Sequence, residues 1–274
     1  EPFYSHKSVG RRIMKSLLEG PVVRFTDKVV TVKGSQGSID YLKNKYPNYR
    51  EKFEELPYMG YKKDDFENLD KREFDKFTIT YAGRFYEDWI EPDVFLKGFV
   101  EFVRESDLST DDIQLRFYCK GWRKKHSDLA KRLDIEKYIS ISGYLPKEEI
   151  FSIMKASDLL LYIHGANNSR KDMIHTKFYD YIGAGRAIFG LAGEDTDVRN
   201  VIEKHGLGVV VDENSVEDVK KGLEKIVVRD KEVFVQKESR DLFTRERHDR
   251  RFFEILEILH KKNNIQGNKK RSIE

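Results

Sequence analysis

The sequence contains a single cysteine, Cys119, among 274 residues. One thiol excludes an internal disulfide and a cysteine-based metal cluster, and such sparse use of cysteine is typical of a reducing cytoplasm. An excess of charge of one sign is also lacking, because 51 basic residues nearly balance 48 acidic residues and leave a net charge of +3. Nucleic-acid-binding domains usually carry a strong basic excess, so this balance argues against a nucleic-acid partner.

Long apolar runs and the motifs of several enzyme classes are missing as well. No run approaches the roughly 18 apolar residues of a membrane-spanning helix, and the first residues lack the apolar core of a signal peptide. A hydrolase triad has no support, because the sequence has no G-x-S-x-G. His126, His164 and His175 are scattered without metal-ligand spacing. We therefore expect a cytoplasmic protein without a metal site.

Two clusters of basic residues stand out from the otherwise balanced charge. GWRKKH spans residues 121–126, and NKKR spans residues 268–271. Both are typical of solvated faces. The alternative is peripheral contact with anionic lipid head groups at the inner face of a membrane.

From Phe77 onward, short apolar strands alternate with helices. The strands are predicted at 77–83, 113–119, 138–143, 159–164, 186–191 and 208–211, and the helices at 92–104, 126–133, 146–156, 176–184, 197–204 and 215–227. Strands that are apolar on both faces and separated by helices predict a parallel sheet covered on both sides. Because crossover connections are right-handed as a rule, the predicted fold class is α/β, a doubly wound and Rossmann-like domain.

The remainder of the chain flanks this domain. A helix is predicted at 9–24, a short strand at 29–32 and then the glycine loop GSQGS at 34–38. This loop lacks both the P-loop spacing and the Rossmann fingerprint, which favours a structural turn over a phosphate loop. A closing helix is predicted at 244–262, with an apolar stripe formed by Phe252, Phe253, Leu256 and Leu259.

The first candidate binding loop is AGRFYED, which follows the strand at 77–83. In a doubly wound sheet, ligands bind beyond the carboxyl ends of the strands, where the strand order reverses. Gly83 allows a tight turn there, and Arg84 places a permanent cation at the strand tip. A guanidinium group suits two phosphate oxygens at once. The alternative is an ordinary surface arginine.

The second candidate loop is SGYLPKEEI, which follows the strand at 138–143. Gly143 closes the strand, and Tyr144 comes next. A glycine beside an aromatic side chain could receive a flat base by stacking and backbone hydrogen bonds. A plain packing turn fits the local pattern equally well.

The third candidate is the stretch DMIHTKFYDYIGAGRAIFG, which starts at Asp172. Thr176 is suited to cap a helix whose first turn holds Lys177, so that amide groups and an amine together form an anion site. Asp180, one turn further, is placed to accept hydrogen bonds from a ribose diol. The alternative is an amphipathic helix with a glycine C-cap. The combination with Arg84 at strand ends of one sheet favours the anion site.

Residues 77–226 resemble the C-terminal, donor-binding half of retaining glycosyltransferases of family 4, which have the GT-B fold. That family carries two acids separated by seven residues and followed by a small-residue turn, and Asp172 and Asp180 keep this spacing. Its glycine-arginine pair after the first strand is matched by Gly83 and Arg84.

The resemblance also includes Gly143, which matches the glycine that closes the family's third strand. Two departures accompany these matches. Both acids are Asp where the family mostly has Glu, and the family's first-loop lysine has no counterpart in RFYEDWIEP. Lys177 would then substitute for that lysine.

The resemblance implies transfer of a sugar, with retention, from a nucleoside-diphosphate sugar to the hydroxyl of a glycan, lipid-linked or small-molecule acceptor. Arg84 and Lys177 would neutralise the leaving diphosphate, so that no metal is required. Asp180 would hold the ribose, and Asp172 would orient the sugar. The implied donor site is completed by Gly83, Gly143, Tyr144 and Thr176.

The same resemblance divides the chain into five parts. Residues 1–56 correspond to the end of an N-terminal, acceptor-side domain, 57–76 to a linker, 77–228 to the donor-binding domain, 229–262 to closing helices that pack back on the N-terminal part, and 263–274 to a flexible tail. An enzyme of this type has an N-terminal domain of comparable size, and this chain begins without Met. We therefore expect a fragment that binds donor without transferring sugar.

Two other functions stay open at this point. One is a nucleotide-sugar epimerase of similar architecture, which needs no acceptor. The other is a non-catalytic, Rossmann-like module for nucleotide binding or protein interaction, because a fold does not fix a function.

Overall fold

The computed structural model describes residues 9–33, 39–165, 171, 173–229 and 235–271, and at 9–16, 229 and 263–271 it describes the backbone alone. The elements are α1 (Val9–Phe25), β1 (Val29–Val32), α2 (Ile39–Lys45), β2 (Phe53–Leu56), β3 (Phe77–Arg84), α3 (Asp93–Glu105), β4 (Ile113–Lys120), α4 (Lys124–Arg132), β5 (Ile139–Ser142), α5 (Lys147–Ala156), β6 (Leu159–Ile163), α6 (Thr176–Ala184), β7 (Ala187–Leu191), α7 (Asp197–His205), β8 (Gly208–Val211), α8 (Val216–Leu223), α9 (Lys237–Asp241) and α10 (Arg245–Arg271). Short 3₁₀ turns lie at Pro47–Lys52, Asp64–Phe66 and Glu136–Tyr138, and a π-helical segment at Glu224–Arg229.

The chain divides into two compact units. The larger unit comprises Tyr61–Leu242, and the smaller comprises Glu1–Gly60 together with Phe243–Glu274. Among the described residues, every helix is either too short or too polar to cross a bilayer.

The larger unit contains six parallel strands in the order β5-β4-β3-β6-β7-β8. The order reverses between β3 and β6, so these two strands flank the switch point of a doubly wound sheet. Helices follow the strands in alternation, as the apolar strand pattern predicted. The predicted α/β, Rossmann-like fold class is confirmed.

The strands at the switch point separate early. β3 and β6 are paired only at Ile79 with Leu159 and at Thr80 with Leu160. Beyond Thr80 the backbone of β3 has no strand partner on this side, although its pairing with β4 continues to Arg84. The two strands therefore diverge at the carboxyl end of the sheet, beside Ala82 and Gly83, and we call this divergence the crevice.

The predicted linker at 57–76 differs from the observed segment. Residues from Tyr61 belong to the larger unit, and Phe66 is buried and stacks on Phe151 with ring centroids 4.5 Å apart. Phe66 also lies where a side chain at Gly183 would be, because a Cβ there would come within 2.3 Å of its ring. Polar contacts also anchor the segment, since Lys147 pairs with Asp65 at 2.6 Å and the Lys155 amine donates to the Phe66 carbonyl at 2.8 Å.

In the smaller unit, β1 and β2 form a parallel pair, and α10 packs near β2 with Arg251 paired to Glu54 at 3.4 Å. The helix at the C-terminal end continues to Arg271, beyond its predicted end at 262. The predicted apolar stripe on this helix is wrong. Among the residues of this helix whose side chains the structure describes, Ile255 is buried, while the side chains at three of the four predicted positions are exposed: Phe252, Phe253 and Leu256. An apolar stripe indicates which side chains favour burial, but tertiary packing decides which of them another element covers.

Candidate functional site

The N-terminus of α6 lies beside the open end of β3. Tyr181 fixes this arrangement, because its buried hydroxyl accepts from the Ala82 N–H at 2.9 Å and donates to the Ala82 carbonyl at 3.2 Å. One side chain thus satisfies both backbone groups that the early separation of β3 and β6 leaves without a strand partner. The first turn of α6, with N–H groups that have no partner inside the helix, is thereby held at the crevice.

Lys177 lies in this first turn and reaches the tip of β3. A Cβ at Gly83 would lie 3.3 Å from the Lys177 amine, which places the amine directly against the glycine backbone. The amine also lies 4.3 Å from the ring centroid of Tyr81 and 5.3 Å from that of Tyr162. Residues from β3, β6 and α6 therefore meet at one amine.

The electrostatic surroundings of Lys177 are unusual for a lysine. Its amine donates a hydrogen bond to the Tyr81 hydroxyl at 3.2 Å, and the described part of the chain provides it with no salt bridge. Burial lowers the pKa of Lys177 to about 7. A partly buried amine without a counter-ion among the described residues favours an anionic ligand, because such a ligand would compensate the desolvation that disfavours its charge.

Arg84 is the last residue of β3, as predicted, and its side chain is exposed. The guanidinium lies 5.7 Å from the ring centroid of Tyr86, which follows on the same loop. The Arg84 carbonyl accepts a hydrogen bond from the Tyr81 hydroxyl at 2.9 Å. The backbone of Arg84 is therefore tied to the Lys177 environment, while its charged group stays available to a ligand.

Gly143 and Tyr144 follow β5, two strands away from β3. Tyr144 is 53% exposed, and the Lys120 amine lies 4.8 Å from its ring centroid. Nothing lies within 4 Å of the position that a Cβ would take at Gly143. Gly143, Tyr144 and Lys120 together form an exposed surface with an aromatic ring and a cation, which we call the open ledge.

Thr176 and Asp180 occupy different environments on α6. The predicted capping role of Thr176 is wrong, because His175 occupies the N-cap position and Thr176 is the first helical residue, with an exposed side chain. Asp180 is half-buried, and burial raises the pKa of its carboxyl group to about 6. Asp65 raises this pKa further, while Lys147, which pairs with Asp65 at 2.6 Å, lowers it.

Two sequence predictions fall outside the described residues. These are Asp172, the predicted sugar-orienting acid, and the glycine loop at 34–38. The structure brings Gly83, Lys177 and the backbone of Arg84 together around the Tyr81 hydroxyl, and Thr176 precedes Lys177 on α6. Gly143 and Tyr144 lie further along the same edge of the sheet.

Sequence reasoning missed several residues near this edge. Glu213 follows β8, and burial raises the pKa of its carboxyl group to about 7, assisted by neighbouring Asp212. One of its carboxylate oxygens is buried without a hydrogen-bond partner among the described residues. His164 and His175, which looked scattered, stack with ring centroids 5.7 Å apart. The signal available for Glu213 was a pair of acids, Asp212 and Glu213, that directly follows the last strand.

A second cluster with polar side chains lies after β3 and at the start of α4. Glu91, Asp93 and His126 bring potential metal-ligating atoms within 4.8 Å of one another. The Glu91 carboxylate is bound by Arg123, by Lys125 at 2.9 Å and by His126 at 2.7 Å. Two permanent cations on one carboxylate favour an internal ion-pair network over cation binding.

No family model matches this sequence, and no curated protein is detectably similar to it. Solved structures with a similar fold do exist. The chain resembles Anabaena HepE in complex with UDP at 12% identity and a TM-score of 0.68, covering 92% of this chain and 68% of HepE. It resembles the pneumococcal O-GlcNAc transferase GtfA in complex with UDP and GlcNAc at 14% identity and a TM-score of 0.57, covering 84% of this chain and 45% of GtfA.

A third similar structure is a glycosyltransferase from Rickettsia africae, with 14% identity, a TM-score of 0.58, and coverage of 86% of this chain and 66% of that protein. At such identities the likeness shows the fold, which is the Rossmann-like GT-B architecture. The chain spans about half to two thirds of the length of these proteins.

Proposed function

We propose that this chain binds a nucleoside-diphosphate sugar in the crevice between β3 and β6. The observation that carries the proposal is the Lys177 amine, which lies against Gly83 with no salt-bridge partner in the described part of the chain. A diphosphate at the strand tips would meet this amine, the first-turn amides of α6 and the guanidinium of Arg84. UDP in the HepE and GtfA structures supports a ligand of this class.

The remaining predicted residues receive roles around that diphosphate. Gly83 gives the phosphates close access to the backbone, and Thr176 offers an exposed hydroxyl beside them. Gly143 and Tyr144 receive the base on their open ledge. Asp180 accepts hydrogen bonds from the ribose.

We further propose that the reaction is glycosyl transfer with retention, of the family 4 type. An acceptor hydroxyl oxygen bonds to the anomeric carbon on the face from which the diphosphate departs. The bond from that carbon to the phosphate oxygen breaks, and the hydroxyl proton passes to the leaving phosphate. Lys177 and Arg84 stabilise the charge that develops on this phosphate, so the scheme draws its positive charge from side chains rather than from a metal. Asp172 orients the sugar.

Calorimetric titration of UDP-, GDP- and ADP-sugars into the protein tests donor binding. We expect at least one to bind, and we expect Lys177→Ala to weaken that binding by about ten-fold or more, on the order of 1.4 kcal/mol. Lys137→Ala is a matched control, since Lys137 lies at the opposite edge of the sheet before β5. Binding that is equally weakened by both variants, or absent from the wild type, would reject the proposed site.

Sugar transfer needs its own test. Slow hydrolysis of the donor releases a free sugar, and proton NMR at early times reports its anomeric configuration. Retention predicts the configuration of the donor, and inversion predicts the opposite one. A changed sugar stereocentre in the recovered donor would identify an epimerase, and binding without any turnover would favour a donor-binding chain or a non-catalytic module.

We also propose a cytoplasmic location, on the basis of the single, buried and free thiol of Cys119. Peripheral contact with the inner face of a membrane would rely on the basic clusters, of which Arg123 and Lys125 already pair with Glu91. Sedimentation with vesicles containing anionic lipid tests this contact. Co-sedimentation that vanishes at high salt would support it.

A further inference from the structure

The hydroxyl group of Tyr81 connects the two cationic residues of the proposed donor site. Tyr81 is buried in β3, two residues before Gly83. Its hydroxyl donates to the Arg84 carbonyl at 2.9 Å and accepts from the Lys177 amine at 3.2 Å. A single atom therefore links the loop that follows β3 to the first turn of α6.

The direction of these two hydrogen bonds is fixed by proton count. A phenol has one proton, and here the Arg84 carbonyl accepts it. Burial holds the pKa of Tyr81 well above its ordinary value, so the hydroxyl stays neutral. Its oxygen can then only accept from Lys177. An ammonium has three N–H donors, so two remain for a ligand.

The ring of Tyr81 is held rigidly. It stacks on Phe85 with ring centroids 4.4 Å apart and planes inclined by only 7°. The Lys177 amine rests over the same ring, and cation–π attraction of this kind favours the charged amine. The Tyr81 side chain thus constrains the Lys177 amine in two ways, through its hydroxyl group and through the face of its ring.

Among the described residues, the groups in direct contact with the Lys177 amine are neutral. β3 contributes Tyr81 and the backbone of Gly83, and β6 contributes Tyr162, whose pKa burial also raises above its ordinary range. On α6 itself, His175 precedes the lysine and Asp180 lies one turn beyond. Burial alone lowers the pKa of Lys177, with no described acid acting against it.

We propose that Tyr81 is a positioning residue that aims the Lys177 amine at the diphosphate and favours its charged form, so that donor binding takes up a proton. This inference rests on the proposed donor site. The free protein holds Lys177 partly neutral near pH 7, and the bound diphosphate supplies the missing negative charge. Affinity is then constant at low pH and falls as the pH rises above about 7.

The test compares wild type with Tyr81→Phe, using UDP-glucose as the probe. Its diphosphate is doubly esterified and has no proton that titrates near pH 7. Phe keeps the ring, its stacking on Phe85 and its contact with the amine. Tyr138→Phe is the matched control, because it removes a tyrosine hydroxyl that donates to a backbone carbonyl at the same 2.9 Å, at the opposite edge of the sheet.

We expect calorimetry at pH 8, in buffers of different ionisation enthalpy, to show uptake of close to one proton per UDP-glucose bound to wild type. Tyr81→Phe should bind about ten-fold more weakly. The pH at which its affinity starts to fall should lie lower than in wild type by about one pH unit, because the charged amine has lost an acceptor. Tyr138→Phe should match wild type in both respects.

A measurement without ligand keeps the inference testable should Tyr81→Phe bind too weakly to titrate. Acetylation of the Lys177 amine by acetic anhydride, followed by mass spectrometry, reports the neutral fraction at each pH. The midpoint should lie near pH 7 in wild type and lower in Tyr81→Phe. Equal midpoints would overturn the role of Tyr81.

The two proposals fail in distinguishable ways. Binding of UDP-glucose to wild type with no proton uptake, or with the same pH profile in Tyr81→Phe, removes the positioning role and leaves the donor site intact. Failure of wild type to bind any of the three classes of nucleotide sugar removes the donor site and the inference with it.

Discussion

At the scale of single residues, two cations that the sequence predicted in the same role, Arg84 and Lys177, lie in different environments in the structure. Arg84 and Lys177 were both recognised as cations at strand ends, because their positions follow from local strand and helix patterns. The sequence could not reveal that Lys177 is partly buried, with its amine against two tyrosine rings. That burial depends on Tyr81 and Tyr162, which come from two other elements and are brought to it only by the sheet topology.

Arg84→Ala should separate binding from stability. The side chain is exposed, and its only described interaction is the contact with Tyr86, so the free energy of unfolding should change by less than about 0.5 kcal/mol. Turnover of the donor should fall by about ten-fold, because a cation beside the leaving phosphate is lost. Urea denaturation and donor hydrolysis measure the two effects. A large loss of stability together with unchanged turnover would place Arg84 outside the site.

Glu213→Gln should change how stability depends on pH. Burial raises the pKa of Glu213 from 4.5 to about 7, so the folded protein retains a proton that the unfolded chain releases. This group therefore costs stability increasingly as the pH rises from about 4.5 to 7. Glutamine removes that cost and should stabilise the protein by about 1 kcal/mol at pH 8, a value reduced for the partial exposure of the side chain.

At pH 4 the same substitution should have little effect, because the Glu213 carboxyl group is then mostly protonated in the folded and in the unfolded protein alike. Thermal unfolding at the two pH values measures the difference. Glu194→Gln, at an exposed glutamate near the same edge of the sheet, is the control and should leave both midpoints unchanged. Equal effects of Glu213→Gln at pH 4 and pH 8 would show that the carboxyl group is not held protonated.

At the scale of elements, the alternation of apolar strands and helices was sufficient to predict the sheet and its helices. The six strands of the larger unit were predicted within one residue of their observed ends, because short apolar runs between helical stretches mark them clearly. The contact that anchors α6 to β3 was not predictable in this way. It depends on where β3 and β6 separate, which no local pattern records.

Tyr181→Phe should loosen this anchor. The substitution leaves the buried N–H and carbonyl of Ala82 without their partner, which costs about 1–3 kcal/mol of stability. Donor affinity should fall as well, because the first turn of α6 is held by the same contact. Urea denaturation measures the loss, with Tyr144→Phe as an exposed control. Unchanged stability would show that water replaces the hydroxyl.

Gly183→Ala should destabilise the end of α6. An added Cβ would approach the ring of Phe66 to 2.3 Å, and overpacking of this kind typically costs about 1–3 kcal/mol. Phe66→Leu in the same chain should recover part of the loss, since the smaller side chain makes room. The double-mutant cycle measures this coupling. Additive losses would mean that the glycine is required for another reason, whereas Gly20→Ala, with open space around it, should be neutral or stabilising.

At the scale of the whole molecule, the sequence predicted the larger unit far better than the smaller one. The larger unit contains a six-stranded sheet, and the alternation of apolar strands and helices along its sequence predicts a doubly wound topology. This fold is similar to that of HepE and GtfA. In the smaller unit, the predicted stripe on α10 failed at Phe252, Phe253 and Leu256, because periodicity records apolar character but not the surface that receives it.

The candidate site also has a part that the sequence predicted and a part that it did not. Its position followed from the rule that ligands bind where strand order reverses, and Gly83 and Lys177 do meet there. The finer chemistry depends on long-range contacts, namely the hydroxyls of Tyr81 and Tyr181 and the protonation of Glu213. These contacts join residues that lie far apart in sequence.

A crystal structure of the protein with a bound nucleoside diphosphate is the most direct measurement of this chemistry. We expect phosphate oxygens within hydrogen-bond distance of the Lys177 amine, roughly 3 Å away, with the nucleotide lying along the edge formed by β3 and β6. A nucleotide seated elsewhere, with the Lys177 amine still enclosed by tyrosine rings alone, would contradict the proposed donor site.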